Sequence, residues 1–199
     1  QADVKQVSVD DIVIENARID VNPLSLITLN PEVSIEFGDA VSNAPEGSLT
    51  LSGLFGAITA EDVAITVAAD LIAQQLPMLV PVQAHDYVTL TMRNFIVGQP
   101  ICEQAQGQLS WKKASVTALD EKVKLGELKA DIGCEQGALT VTIDPKNDLG
   151  LTFTAYLRDP HQVTGSGYLT PGQEFPQQMR QILPFLGNQD SQGRYRLNF

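Results

Sequence analysis

The chain has 199 residues, with 24 acidic and 13 basic side chains and a net charge of −11. Its hydrophobic fraction of 43% against 19% charged residues is enough to bury a core, which excludes a disordered, collagen-like or coiled-coil chain. No run of lysine or arginine offsets the acidic charge, so nucleic acid is excluded as a partner. The length suits one domain, which we expect to span residues 1–199.

Alternating apolar and polar residues dominate the chain and predict about eleven short β-strands. In chain order these are residues 7–9, 33–37, 49–51, 63–67, 88–92, 109–111, 123–125, 128–132, 139–143, 151–153 and 195–199. Helical signals are few. They predict a helix over 68–76, one over 176–186 with apolar residues at helical spacing, and a third short helix or turn at 23–27.

Two or three short helices cannot cover the apolar face of so many strands, so the sheet must curl onto itself. We therefore expect a mainly β fold, in which one strongly curved, largely antiparallel sheet forms an open trough or a partly closed barrel. An open trough would leave an apolar groove, and such a groove would suit lipid acyl chains or lipoproteins.

The charge is unevenly distributed along the chain. Residues 1–97 hold 13 acidic and 3 basic side chains, a net charge of −10, whereas residues 98–199 hold 11 and 10, a net charge of −1. An acidic half of this kind predicts either a solubilising surface or a face that docks a partner.

Cys102 and Cys134 are the only cysteines, and each lies just ahead of a predicted strand in a weakly repeated Cys-Glu-Gln motif. This placement is expected for two cysteines that cross-link the starts of neighbouring strands, so it favours a disulfide. A disulfide would imply an oxidising compartment. A pair of buried reduced thiols is the alternative. A redox-active pair would need closer spacing, and a zinc site would need further ligands.

His85 and His161 are the only histidines, and each stands beside an aspartate in a turn-like segment. We expect both to be exposed loop residues, because adjacent residues on a strand face opposite ways and form no local catalytic pair. No Gly-x-Ser-x-Gly motif marks a nucleophile.

Carboxylate pairs are predicted to lie in solvated turns or strand starts, at Asp10–Asp11, Glu61–Asp62 and Asp120–Glu121. Glycosidase chemistry would need two such acids at a defined separation across a cleft. No calcium loop, Walker loop or dinucleotide motif is present, so we predict no enzymatic activity, no metal and no cofactor.

Near the carboxyl-terminal end of the strand at 109–111, Trp111 is predicted to pack in the core while Lys112 and Lys113 begin a loop. In the last strand, Arg194 and Arg196 are predicted to be exposed and available to acids of the first half.

Several motifs in one order resemble the type II secretion system protein N (GspN) family. They are Cys102…Gly107-x-Leu109-x-Trp111, Leu125-Gly126-x-Leu128-x-Ala130…Cys134-x-x-Gly137-x-Leu139, Gly165-x-Gly167-x-Leu169-x-Pro171, Leu186-Gly187 and Gly193-Arg194-Tyr195-x-Leu197. The resemblance is most specific over 98–199, and Asn22-Pro23-Leu24-Ser25-Leu26 adds to it in the first half.

The resemblance implies a non-enzymatic assembly component of the bacterial type II secretion system that contacts other components of that system. It also implies a location at the periplasmic face of the inner membrane, since family members carry an N-terminal membrane anchor before a periplasmic domain. This chain starts at Gln1 and has no apolar window long enough for a membrane helix, so the anchor is an implication of the resemblance alone. Of the family's features, only the Cys102 and Cys134 pair carries over, in a structural role.

Overall fold

The computed structural model describes residues 2–9, 12–27, 29–38, 44–53, 56–74, 82–118, 120–159 and 162–198. These ranges contain thirteen strands that pair antiparallel in one sheet. In chain order they are β1 (Ala2–Val9), β2 (Ile12–Val21), β3 (Val33–Phe37), β4 (Glu46–Ser52), β5 (Thr59–Ala68), β6 (Val82–His85), β7 (Tyr87–Val97), β8 (Cys102–Ala118), β9 (Glu121–Glu135), β10 (Ala138–Ile143), β11 (Leu151–Asp159), β12 (Gln162–Leu169) and β13 (Tyr195–Asn198).

The strands follow one another across the sheet in chain order, except that β6 pairs with the far part of β8 beside β7. Within the described ranges β1 pairs only with β2, and β13 pairs only with β12, so the sheet does not close. The prediction of a mainly β, antiparallel, incompletely closed sheet is confirmed. Its antiparallel connections place alternate loops at opposite ends of the strands.

The strand number differs from the eleven predicted for local reasons. Two predicted strands, 123–125 and 128–132, are one strand, β9, because Gly126 adopts a φ of +81° that carries the chain through a bulge opposite Ala114. The sequence did not predict β2, β6 and β12. In β2 the residues Glu15 and Asn16 interrupt the alternation, and Asn16 has a φ of +52°.

The helices are short, as predicted. The first, α1 (Pro23–Ile27), has the predicted bounds, and α2 (Ala69–Gln74) occupies the described part of the predicted 68–76 helix. The predicted helix at 176–186 is a 3₁₀ helix over Gln177–Leu186. Pro184 has no N–H to donate within it, which disfavours an α-helix there.

The main core lies in the second half of the chain, where the 3₁₀ helix covers the sheet. Phe175, just before this helix, is 2% exposed, and Leu183 within it is also buried. They pack with buried side chains of β8, β9, β12 and the β10–β11 connection, namely Ala114, Val123, Leu125, Leu169 and Leu149. Trp111 packs against this cluster as predicted. The lysines after it do not begin a loop, because β8 continues through a bulge to Ala118.

Candidate protein-interaction surfaces

The structure contains the predicted disulfide between Cys102, the first residue of β8, and Cys134, near the end of β9. Their Cα atoms are 6.2 Å apart. The neighbouring β7–β8 and β9–β10 turns also bond to each other, since the carbonyl of Gly137 accepts the N–H of Ile101 (3.0 Å) and of Cys102 (3.1 Å). Disulfide and hydrogen bonds together fix two adjacent turns at this end of the sheet.

His85 is not the exposed loop residue that was predicted. It is the last residue of β6 and is half-buried, with Nε2 2.7 Å from Thr117 Oγ1, and its carbonyl accepts the Trp111 indole N–H at 2.9 Å. The turn that was predicted here is the next residue, Asp86, which has a φ of +66° and separates β6 from β7. His161 lies outside the described residues. The contacts of His85 hold β6 against β8, and among the described residues they bring no carboxylate to the ring.

The two carboxylate pairs that the structure describes lie apart in the sheet. Glu61 and Asp62 lie inside β5 rather than in a turn, and both are exposed. Asp120 and Glu121 lie at the β8–β9 turn, as predicted, whereas Asp10 and Asp11 are outside the described residues. Among the residues that the structure describes, no group of three or more His, Cys, Asp and Glu side chains is placed to hold a metal ion.

Arg194 has a partner that the sequence did not predict. Its guanidinium pairs with Asp190 (Nη2 to Oδ2, 2.8 Å) in the preceding turn rather than with an acid of the first half, and it lies 4.0 Å from the Tyr168 ring centroid. The backbone N–H of Arg194 donates to Asp190 Oδ1 at 3.0 Å, and this bond is the largest cause of the lowered pKa of Asp190. The contacts fix the turn that leads into β13.

The two edges of the sheet are candidate interaction surfaces, because an unpaired strand offers a row of backbone donors and acceptors. The β1 edge is eight residues long, and the β13 edge is four residues long. The β1 edge belongs to the acidic half of the chain, and Asp3 on it pairs with Arg18 of β2. The β13 edge carries Arg196, which is exposed. The two edges thus differ in length and in charge.

A lysine cleft on β8 and β9 contrasts with the acidic half. Lys112, Lys113, Lys122 and Lys124 are exposed and line a cleft of about 470 Å³ together with two acidic residues, Asp86 and Glu127, and with Ala114, Ser115 and Gly126. None of these four lysines forms an ion pair with a residue in the described ranges. The cleft therefore brings four lysines together with two acidic residues, an excess of positive charge on a chain whose net charge is −11.

Two further clefts bear on the predicted apolar trough. One of about 680 Å³ is lined by Asp62, Thr91, Arg93, Gln106 and Asp131, among others, and one of about 370 Å³ by Asp3, Asn16, Arg18 and Glu36, among others. Both are lined mainly by polar and charged side chains, so neither favours an acyl chain as a ligand.

No helix within the described ranges has the length and apolar character needed to span a membrane.

The fold and these surfaces define a class of protein in which one open antiparallel sheet is cross-linked by a disulfide. Its acidic first half and its lysine cleft lie in different parts of the sheet. The family model for type II secretion system (T2SS), protein N, matches residues 1–198. The chain is 30% identical to the type II secretion system protein N of Aeromonas hydrophila, over 92% of this chain and 72% of that relative. It is 26% identical to that of Vibrio cholerae, over 90% of this chain and 71% of the relative. No solved structure matches the chain.

The chain therefore belongs to the type II secretion system protein N family, as the motifs of its second half predicted. The match covers the acidic first half as well as the second. Proteins of this family are components of the secretion machinery, and membership implies contact with other components of that machinery.

Proposed function

We propose that this chain is a single periplasmic domain that acts as a non-enzymatic assembly component of the type II secretion system, through contacts of its surface with other components. Family membership supports the setting. The open sheet supports the mode of action, because its two unpaired edges suit the addition of a partner strand.

The β1 edge is the stronger candidate for strand addition. Its eight residues exceed the four of β13, and main-chain hydrogen bonds formed along an edge increase with its length. A partner strand added there, in either orientation, would extend the sheet beyond β1. The side chains of the partner would then supply specificity.

The disulfide supports a periplasmic location, since disulfides persist in oxidising compartments and are rare in the cytosol. We expect Cys102 and Cys134 to resist alkylation in intact cells until a reductant is added. Recovery of both residues as free thiols from untreated cells would contradict the periplasmic location. The membrane anchor implied by the family remains part of the same proposal, to be tested by fractionating the full-length protein.

A proline scan along β1 tests strand addition and carries its own control. In an antiparallel pair, N–H groups of alternate residues point to the neighbour and away from it. Proline removes one N–H, so at outward-facing positions it blocks partner addition without breaking the bonds to β2. Each variant is expressed as full-length protein in cells lacking the native copy, and both secretion of a substrate protein and the melting temperature of the variant are measured.

We expect a period of two from Val4 to Ser8. Secretion should fall at outward-facing positions while the melting temperature is unchanged, and the intervening positions should lose stability. Normal secretion at every position that keeps its stability would rule out the β1 edge as a contact.

A further inference from the structure

The connection between β2 and β3 exposes four large apolar residues while its one serine is buried. Ser25 and Pro31 are buried, whereas the side chains of Leu24, Ile27 and Leu29 are 70%, 79% and 79% exposed. With Leu26, which is 53% exposed, these three residues form what we call the apolar tip. Exposed apolar residues are ordinary when scattered, but four within six positions of one connection are typical of a binding surface.

Hydrogen bonds hold the backbone of the apolar tip in place. Asn22 Oδ1 accepts the N–H of Leu24 (3.1 Å), and the Ser25 hydroxyl donates to the Asn22 carbonyl (2.6 Å) while it accepts the N–H of Glu32 (2.8 Å). Asn30 Oδ1 accepts the N–H of Gly53, which ties the connection to the neighbouring β4–β5 loop. These bonds restrain the described backbone on both sides of the apolar tip, which lowers the entropy that binding must fix.

Leu29 of the apolar tip has a backbone conformation that is unfavourable for leucine. Its φ is +55°, a left-handed conformation that glycine or asparagine adopts more easily than leucine. The side chain of Leu29 is mostly exposed, so burial against described parts of the chain does not offset this strain. Strain of this kind is typical of functional positions.

The surroundings of the apolar tip are acidic. Residues 12–37, which form β2, the connection and β3, carry four carboxylates and a single guanidinium, that of Arg18, which is paired with Asp3 of β1. Asp20 is exposed and precedes the connection by two residues, and Glu32 is half-buried at its other end. The β4–β5 loop that bonds to Asn30 has no charged residue over 53–58. The apolar tip therefore has a carboxylate at each end of its connection, Asp20 and Glu32, and no basic residue over 19–37; these two carboxylates form what we call the acidic rim.

This combination decides between two kinds of apolar partner. A bilayer surface carries anionic lipids, and segments that bind it carry lysine or arginine around their apolar face, so an acidic rim opposes membrane insertion. A protein groove can place cations opposite the rim. We propose that the apolar tip docks into an apolar groove of another secretion-system protein whose rim carries lysine or arginine side chains. The proposal rests on the proposed function and names one contact surface for it.

Photocrosslinking in cells tests the proposal with the full-length protein. A benzophenone amino acid replaces Ile27 or Leu29, and adducts are identified by mass spectrometry to the cross-linked peptide. Phe185 is the matched control position, because its side chain is apolar and 88% exposed but lies in the β12–β13 connection, at the opposite end of the sheet. Additional probes at Ala2 and Arg196 report contacts of the two sheet edges.

We expect adducts from Ile27 and Leu29, but not from Phe185, to peptides of another secretion-system protein that flank an apolar groove with basic residues. Leu24→Ser should reduce the adduct yield at Ile27 by about tenfold, because central apolar contacts dominate an interface. Asp20→Lys should reduce it as well, whereas Phe185→Ser should leave it unchanged. All three substitutions are at exposed positions, and unchanged melting temperatures confirm that the variants fold.

Four results overturn the proposal: adducts with phospholipid, adducts with a second copy of this chain, the same adducts from Phe185, or no adduct from the apolar tip. If the tip fails while the edge probes cross-link to secretion components, the proposed function stands without this contact. If no probe cross-links to a secretion component, the proposed function fails with it.

Discussion

Reduction of the Cys102–Cys134 disulfide should destabilise the fold by an amount that follows from its position. The bond joins residues 32 apart, and closure of a loop of this length in the unfolded chain is worth about 4 kcal/mol in the chain-entropy treatment. Reduction removes no heavy atom, so it leaves no cavity around the buried Cys102. The free energy of unfolding should therefore fall mainly through the greater freedom of the unfolded chain.

Urea unfolding measures this loss through the single tryptophan, Trp111, which packs against the core cluster. With a slope of about 2 kcal/mol per molar urea, the midpoint should fall by about 2 M when a reductant is present. The variant with Cys102→Ala and Cys134→Ala is the control, since its midpoint should not respond to the reductant. A shift below about 0.5 M on reduction would refute the loop-closure reasoning.

Three other predictions follow from contacts of single residues. Phe175→Ala should lower the free energy of unfolding in urea by about 3–5 kcal/mol, because it leaves a cavity in the core. Phe185→Ala should change it by about 0.5 kcal/mol or less. Equal losses would contradict the assigned core. An NMR titration should place the pKa of Asp190 below its usual 3.8, so that its contribution to stability is present above 3.8 and is lost as the pH falls through the lower native value. Arg194→Ala should keep most of this shift, since the backbone N–H that is its largest cause remains, and a complete return to 3.8 would refute that cause. Leu29→Asn should relieve strain of about 1 kcal/mol and raise the melting temperature by about 2–4 °C; a lower melting temperature would show that the leucine side chain stabilises the isolated chain.

The parts of the fold that were predictable are those where local pattern and tertiary environment agree. In β3 the residues Val33, Ile35 and Phe37 turn to the more buried face and Ser34 and Glu36 to solvent, so alternation gave the strand bounds. Elsewhere the partner strand supplies what the pattern lacks. In β12, Gly167 lies against Phe153 of β11, and glycine leaves no apolar signal of that contact in the sequence.

The surfaces were less predictable because long-range contacts decide them. Backbone pairing of His85 with Ser115 of β8, far along the chain, makes an apparent loop histidine a strand residue, and its ring then bonds to Thr117. The leucines of α1 have the apolar character of a core segment, yet they are exposed, and it is Ser25 that is buried and bonded to Asn22 and Glu32. Cys102 and Cys134 were easier to pair, since the chain contains no other cysteine.

The central claim is that this domain works by contacts with other proteins of the secretion machinery. Photocrosslinking in cells with probes along β1, along β13 and on the exposed acids of the first half, with adducts identified by mass spectrometry, tests it most directly. We expect the adducts at one or both edges to be with other type II secretion components. Adducts that are chiefly lipid or lipoprotein would contradict it and would instead support a carrier of acyl chains.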